Sequence, residues 1–206
     1  MPKIIAGGPS PEGRGRRDLR HALGIQGRRG LWLLAGVLLL CLPTLGGSAW
    51  RDALRYDRTA LHAGELWRLV TAHAVHLDTA HALLNAGGLV LLWILFSDGV
   101  GKARLWCLAA VLSIIAIDAG LWWLSPEVSW YVGASGLLHG FMAAGTVEML
   151  RRHDPIALPM ALIFVAKLAW ELFHGPLPFE TQGTVITAAH CYGALGGAVA
   201  AILRGR

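Results

Sequence analysis

In Gly133-Ala134-Ser135-Gly136 a serine stands where an apolar run begins, and His190 stands a few residues into another such run. A serine hydroxyl is a poor nucleophile at neutral pH, and an imidazole, with an unperturbed pKa of about 6.5, is suited to take its proton. A serine that opens a helix also lies among unpaired N–H groups at the positive dipole end, where a developing oxyanion can be held. His81 and Asn85 are four residues apart, hence on one helical face, and can aim an imidazole N–H and an amide NH2 the same way. Donors of that kind serve acyl transfer; the same pair can equally serve as hydrogen bonds between helices. Together the four residues point to peptide hydrolysis, with Ser135 as nucleophile, His190 as base, and His81 and Asn85 as oxyanion donors. Metalloprotease chemistry has no support, because no H-E-x-x-H is present. Cys41, Cys107 and Cys191 each sit inside an apolar run without close spacing, so free thiols are expected, with no disulfide, zinc site or other cofactor.

The elements that must position these groups are membrane helices. Of 206 residues 55% are hydrophobic and 15% charged, and the mean hydropathy is +0.52, which does not describe a water-soluble domain. About 20 helical residues cross the roughly 30 Å of hydrocarbon, and segments of that kind lie at 31–50, 79–97, 104–124, 133–150, 155–173 and 184–203. Thirteen of the 18 Lys and Arg flank these segments on one side: seven lie in the first 30 residues, and Lys102, Arg104, Arg151, Arg152, Arg204 and Arg206 follow. Arg51, Arg55, Arg58 and Arg68 lie in one loop on the other side, and Lys167 lies within a span. The expected fold is therefore an all-α membrane protein, a bundle of six transmembrane helices with both termini cytoplasmic. Residues 1–30 form a basic cytoplasmic segment and residues 31–206 the six-helix domain. The net charge of +5 then reports topology and lipid contact and leaves no role for nucleic acid; a basic RNA-binding arm is the alternative use of the N-terminus. The first apolar run could instead be a signal peptide ending near Gly47-Ser48-Ala49, although the charge pattern fits better if it stays.

Span limits bring the chemistry to one level. Asn85 and His190 each lie about six residues in from the outer face and Ser135 lies near the start of its span, so at about 1.5 Å per residue all three fall within about 10 Å of that surface. Gly136 and Gly140 on the fourth span, and Gly193 and Gly197 on the sixth, form two small-xxx-small faces through which the helices carrying Ser135 and His190 could approach closely. Lys167 and Glu171, four apart on the fifth span, are expected to pair with each other or with Asp118, or else to line a proton path. His62, His73 and His76 are expected to make structural hydrogen bonds in the outer loop and at its entry to the second span.

At this point the sequence resembles the rhomboid intramembrane proteases over some 150 residues. Trp67-Arg68 resembles that family's loop motif, His76, His81 and Asn85 its His-x4-His-x3-Asn spacing, Ser135 its GxSG box, and Ala189-His190-x-x-Gly193 the AHxxG of its last helix. The resemblance implies a Ser135/His190 dyad with no acidic third member, and an oxyanion hole of the Ser135 N–H, His81 and Asn85. It also implies cleavage of transmembrane or juxtamembrane segments of membrane-anchored proteins without metal or cofactor, in a bacterial inner membrane with the site near the periplasmic face. One departure stands out: where many relatives carry a tyrosine that stacks under the base, this chain has His139, which could stack on His190, tune it, or only pack. The stretch from Gly133 through Gly140, with the compact length, resembles the rhombosortase branch, whose substrates bear C-terminal Gly-Gly sorting tails. Two other readings compete. An inactive client-binding relative would usually have lost the serine or the histidine, and both remain. A haem carrier using His81 and His190 as axial ligands gives no reason for Ser135 in its setting.

Overall fold

Lipid offers the backbone no hydrogen bonds, so a chain this apolar must satisfy its amides internally, and it does so with helices. The structure is a computed structural model that describes residues 28–96, 103–176 and 185–204. The expectations resting on residues 1–27, on Lys102 and Arg206, and on most of the loop after the fifth span lie outside the described residues.

Helix α1 covers Arg28–Cys41, a 3₁₀ segment Leu42–Gly46, and α2 Gly47–Leu54. The continuous helix expected over 31–50 is thus interrupted. Pro43 brings no N–H, and the Thr44 hydroxyl bonds back to the Cys41 carbonyl at 2.6 Å, tightening the turn there. In the loop that follows stand β1 (Tyr56–Asp57), α3 (Arg58–His62) and α4 (Arg68–Thr71). The long helices that follow are α5 (Thr79–Phe96), α6 (Ala103–Trp123), α7 (Ser135–Arg151), α8 (Ala157–His174) and α9 (Thr187–Arg204), with β2 (Trp130–Tyr131) before α7. Each falls within a few residues of an expected span. The stretch Gly30–Leu54 and helices α5, α6 and α8 are long and apolar enough to cross a membrane. They turn side chains such as Leu34, Leu91, Ile115 and Ile163 outward, as a lipid-facing surface requires. Helices α7 and α9 are richer in Gly, Ala and polar groups and form the inner pair, with α6 packed on α9.

The inner pair is joined backbone to backbone. A Cβ placed on Gly193 would fall onto the Gly136 carbonyl, and one on Gly197 onto the Gly140 carbonyl; in return Gly136 lies against the Ala189 carbonyl and Gly140 against that of Gly193. The two small-xxx-small faces therefore interdigitate as their spacing predicts. Ser113 on α6 closes the third side, its hydroxyl donating to the Gly193 carbonyl at 3.0 Å. At the far ends of α7 and α9, Arg151 donates to the Ala201 carbonyl and Arg204 meets Glu148 at 3.3 Å. Basic side chains thereby meet the negative end of the α9 dipole. By contrast, α8 touches α7 and α9 over much smaller areas.

Arginines organise the loop between α2 and α5. Buried Arg68 donates to the Glu65 carboxylate at 2.7 Å and to the carbonyls of Asp52 (2.8 Å) and Arg55 (3.0 Å). Arg58 donates to the Leu121 carbonyl at 2.6 Å and the Trp122 carbonyl at 3.2 Å, satisfying orphan groups at the end of α6. β1 and β2 pair antiparallel, Tyr56 opposite Tyr131 and Asp57 opposite Trp130, which ties the loop to the segment leading into Ser135. The loop histidines pack against rings as well as reaching polar partners. His62 lies 4.9 Å from the Trp122 ring, and His76 sits edge-on to His81 at 5.1 Å. His73 reaches Asp118 at 3.5 Å, so Asp118 is engaged there and not with Lys167. Burial, helped by the neighbouring His81, pulls the His76 pKa down to about 4.

Candidate active site

Gly133 turns the chain into α7. Its φ of +117° is open to glycine and strained for other residues, and a Cβ here would press on the His81 ring at 2.9 Å. The Gly133 N–H donates to the Ala72 carbonyl at 2.9 Å and its carbonyl accepts from the Tyr131 hydroxyl at 2.7 Å. Ser135 is the first residue of α7 and His190 lies in the first turn of α9. Because the glycine rows bring the helices so close, Ser135 Oγ comes within 2.9 Å of His190 Nε2.

The other face of His190 meets α8. Its Nδ1 lies 3.0 Å from Glu171 Oε2 and 3.5 Å from Lys167 Nζ. Lys167 Nζ is 2.5 Å from Glu171 Oε1 and 2.6 Å from His139 Nε2. His139 Nδ1 is 2.7 Å from the Ser135 carbonyl, and its ring stacks on that of His190 with centroids 4.0 Å apart and planes 8° off parallel. Hydrogen bonding then fixes both tautomers. A carbonyl can only accept, so His139 Nδ1 carries its proton and Nε2 accepts from the Lys167 ammonium. With Glu171 Oε2 as the acceptor beside it, His190 Nδ1–H donates to Glu171 and Nε2 is left to accept from Ser135. Of the readings open for Lys167 and Glu171, mutual pairing is present. The resemblance implied no acidic partner for the histidine, yet a carboxylate stands there, because α8 turns its charged pair inward instead of along its own surface.

His81 and Asn85 line the same cavity as Ser135, His139, Lys167 and His190, among apolar residues of α5 and α8; its volume is about 610 Å³. His81 Nδ1 accepts from the Leu77 N–H at 3.4 Å, which leaves Nε2 as its donor. Asn85 Nδ2 gives one hydrogen to the His81 carbonyl at 3.0 Å and keeps a second. A smaller cavity of about 290 Å³, lined also by Leu77, Trp130 and Tyr131, meets the first at His81, Ser135 and Val185. His139, Glu171 and His190 offer ligand atoms within 4.8 Å of one another, as a metal site would. The cation among them is the Lys167 ammonium, at 2.5–2.6 Å from two of the three, so the donors are already matched to the chain's own charge. The sequence singled out Ser135, His190, His81 and Asn85 but not the contact of Glu171 with His190. The i,i+4 spacing of Lys167 and Glu171 was its one visible signal.

The Rhomboid domain family matches residues 63–206. Among curated proteins, the chain is 27% identical over 160 residues to "Putative rhomboid protease YdcA" of Bacillus subtilis (strain 168), a match covering 78% of each protein.

Proposed function

This chain belongs to the rhomboid family and is a multi-pass intramembrane serine protease, and on that premise we propose that Ser135 and His190 cleave membrane-anchored proteins near the outer face of a six-span bundle. The observation that carries the reading is the 2.9 Å approach of Ser135 Oγ to His190 Nε2 inside a mostly apolar cavity. As Oγ attacks the scissile carbonyl carbon, its proton passes to Nε2. The carbonyl oxygen becomes an oxyanion that accepts from the Ser135 N–H, His81 Nε2–H and the free Asn85 amide hydrogen. Collapse breaks the C–N bond and His190 returns the proton to the leaving amine; a water deprotonated by His190 then releases the acyl group. Six spans with both termini cytoplasmic follow from the distribution of Lys and Arg.

The substrate assigned to this site is a membrane-anchored protein with a Gly-Gly-containing C-terminal tail. A helix must unwind locally to offer a carbonyl to Ser135, and glycine is among the residues that hold a helix least firmly, by about 1 kcal/mol each relative to alanine. The Gly133–Gly140 stretch supports the same assignment through its rhombosortase resemblance. A fluorophosphonate probe should label the wild type, fail on Ser135→Ala and label His190→Ala far more slowly, with the two losses strongly non-additive. Full cleavage by a folded Ser135→Ala protein sinks the mechanism. Labelling without cleavage of a co-expressed Gly-Gly substrate sinks only the substrate assignment.

A further inference from the structure

We propose that Glu171 is a positioning residue for His190, so that the reaction runs on Ser135, His190 and Glu171 together, with Lys167 pairing the carboxylate. The inference rests on Ser135 and His190 acting as described above.

Glu171 is 1% exposed. A carboxylate at that burial is costly unless paired and hydrogen-bonded, and Lys167 at 2.5 Å supplies the pair. Pairing alone does not account for where the carboxylate points. Lys167 and Glu171, one turn apart on α8, could satisfy each other along that helix. Instead the second carboxylate oxygen is spent on His190 Nδ1, on a different helix, at 3.0 Å. That bond holds the imidazole in the tautomer whose Nε2 lone pair faces Ser135 Oγ and fixes the ring's rotation about its long axis. When Nε2 takes the serine proton, the new imidazolium lies against a carboxylate already oriented for it. Lys167 has a separate part. Its ammonium lies 2.5 Å from the first carboxylate oxygen and bonds His139 Nε2, so His139 keeps its Nδ1–H on the Ser135 carbonyl. His139 stacks on the face of His190 while the carboxylate holds its Nδ1 edge, so the base is fixed in two directions.

The test uses the full chain in detergent micelles, with a transmembrane peptide as substrate. Glu171→Gln should lower kcat by about 10²–10⁴-fold with KM nearly unchanged, because the carboxylate acts on the transition state through His190 and touches no substrate. If that variant fails to fold because Lys167 has lost Glu171, Glu171→Gln with Lys167→Met removes both charges. A purely structural pair predicts that kcat recovers in the double variant, and a positioning role predicts that it stays low. In the wild type, 15N spectra of histidine-labelled protein should show His190 protonated at Nδ1 and unprotonated at Nε2 at neutral pH, a readout independent of whether the variants fold. A wild-type kcat in folded Glu171→Gln, recovery in the double variant, or a neutral His190 protonated at Nε2 each overturns the proposal. Cleavage by Ser135→Ala would instead overturn the reading beneath it, and that variant is measured alongside.

Discussion

Replacing Gly193 by alanine tests whether the backbone joint between α7 and α9 sets the spacing of Ser135 and His190. The added Cβ would stand 1.9 Å from the Gly136 carbonyl oxygen and 2.6 Å from its carbon, whereas unstrained contacts lie at about 3.5 Å. The helices must therefore part locally by about 1.5 Å. Gly136 follows Ser135 directly and Gly193 lies one turn beyond His190, so most of that movement reaches the pair. A separation of 2.9 Å would open towards about 4 Å, past the range of a hydrogen bond. Misplacement on that scale costs about 10²-fold in rate, and the overpacking costs about 1–3 kcal/mol of stability. Gly87→Ala on α5 is the control, since a Cβ there meets nothing within 4 Å. The assay is the rate of fluorophosphonate labelling in micelles, with thermal unfolding measured on the same samples. If Gly193→Ala labels and melts like the wild type, the glycine rows do not set the geometry and the reasoning fails.

Asn85→Ala should lower kcat by about 10²–10³-fold while leaving KM near its wild-type value, with His81→Ala similar; unchanged kinetics would reduce both to packing residues. Arg68→Lys should lower the melting temperature, because an ammonium cannot reproduce the fork that joins Glu65 to two loop carbonyls, a loss of about 2 kcal/mol. His76 is protonated more readily unfolded, near pH 6.5, than folded, near pH 4. Its contribution to stability is full above pH 6.5 and falls by roughly 3 kcal/mol as pH drops towards 4, so His76→Phe should flatten the dependence of Tm on pH across that window. Reporter fusions after Arg152 and at the C-terminus should read cytoplasmic and one within 174–183 external; an external C-terminus would end the six-span proposal.

What was legible in the sequence was what helical spacing encodes. The rows Gly136/Gly140 and Gly193/Gly197 sit at fixed offsets from Ser135 and His190, and close packing of those rows leaves the two side chains little choice but to meet. Lys167 and Glu171 show the opposite case. Their spacing says that they share a face of α8, but nothing within that segment says which way the face turns, so the contact with His190 could not be read. His139 was visible as a departure from the family pattern; its stack on His190 and bond to the Ser135 carbonyl needed the rotation of α7. The β1–β2 pair, two residues a side, is too short to leave an alternating pattern. Pro43 was plain in the sequence, yet the run around it stays apolar, which hid the break in the first helix.

The backbone joint between α7 and α9 also acts as a mechanical datum. Bilayers differ in thickness by a few Å, and helices answer chiefly by tilting. That adjustment falls on the parts with lipid-facing flanks and little grip on the interior, α1 and α8. Carbonyls seated in glycine gaps have no rotamers through which to yield, so the Ser135–His190 gap stays gauged while the outer helices lean. The carboxylate carried in on α8 has no such gauge, because that helix meets α7 and α9 without interlocked backbones.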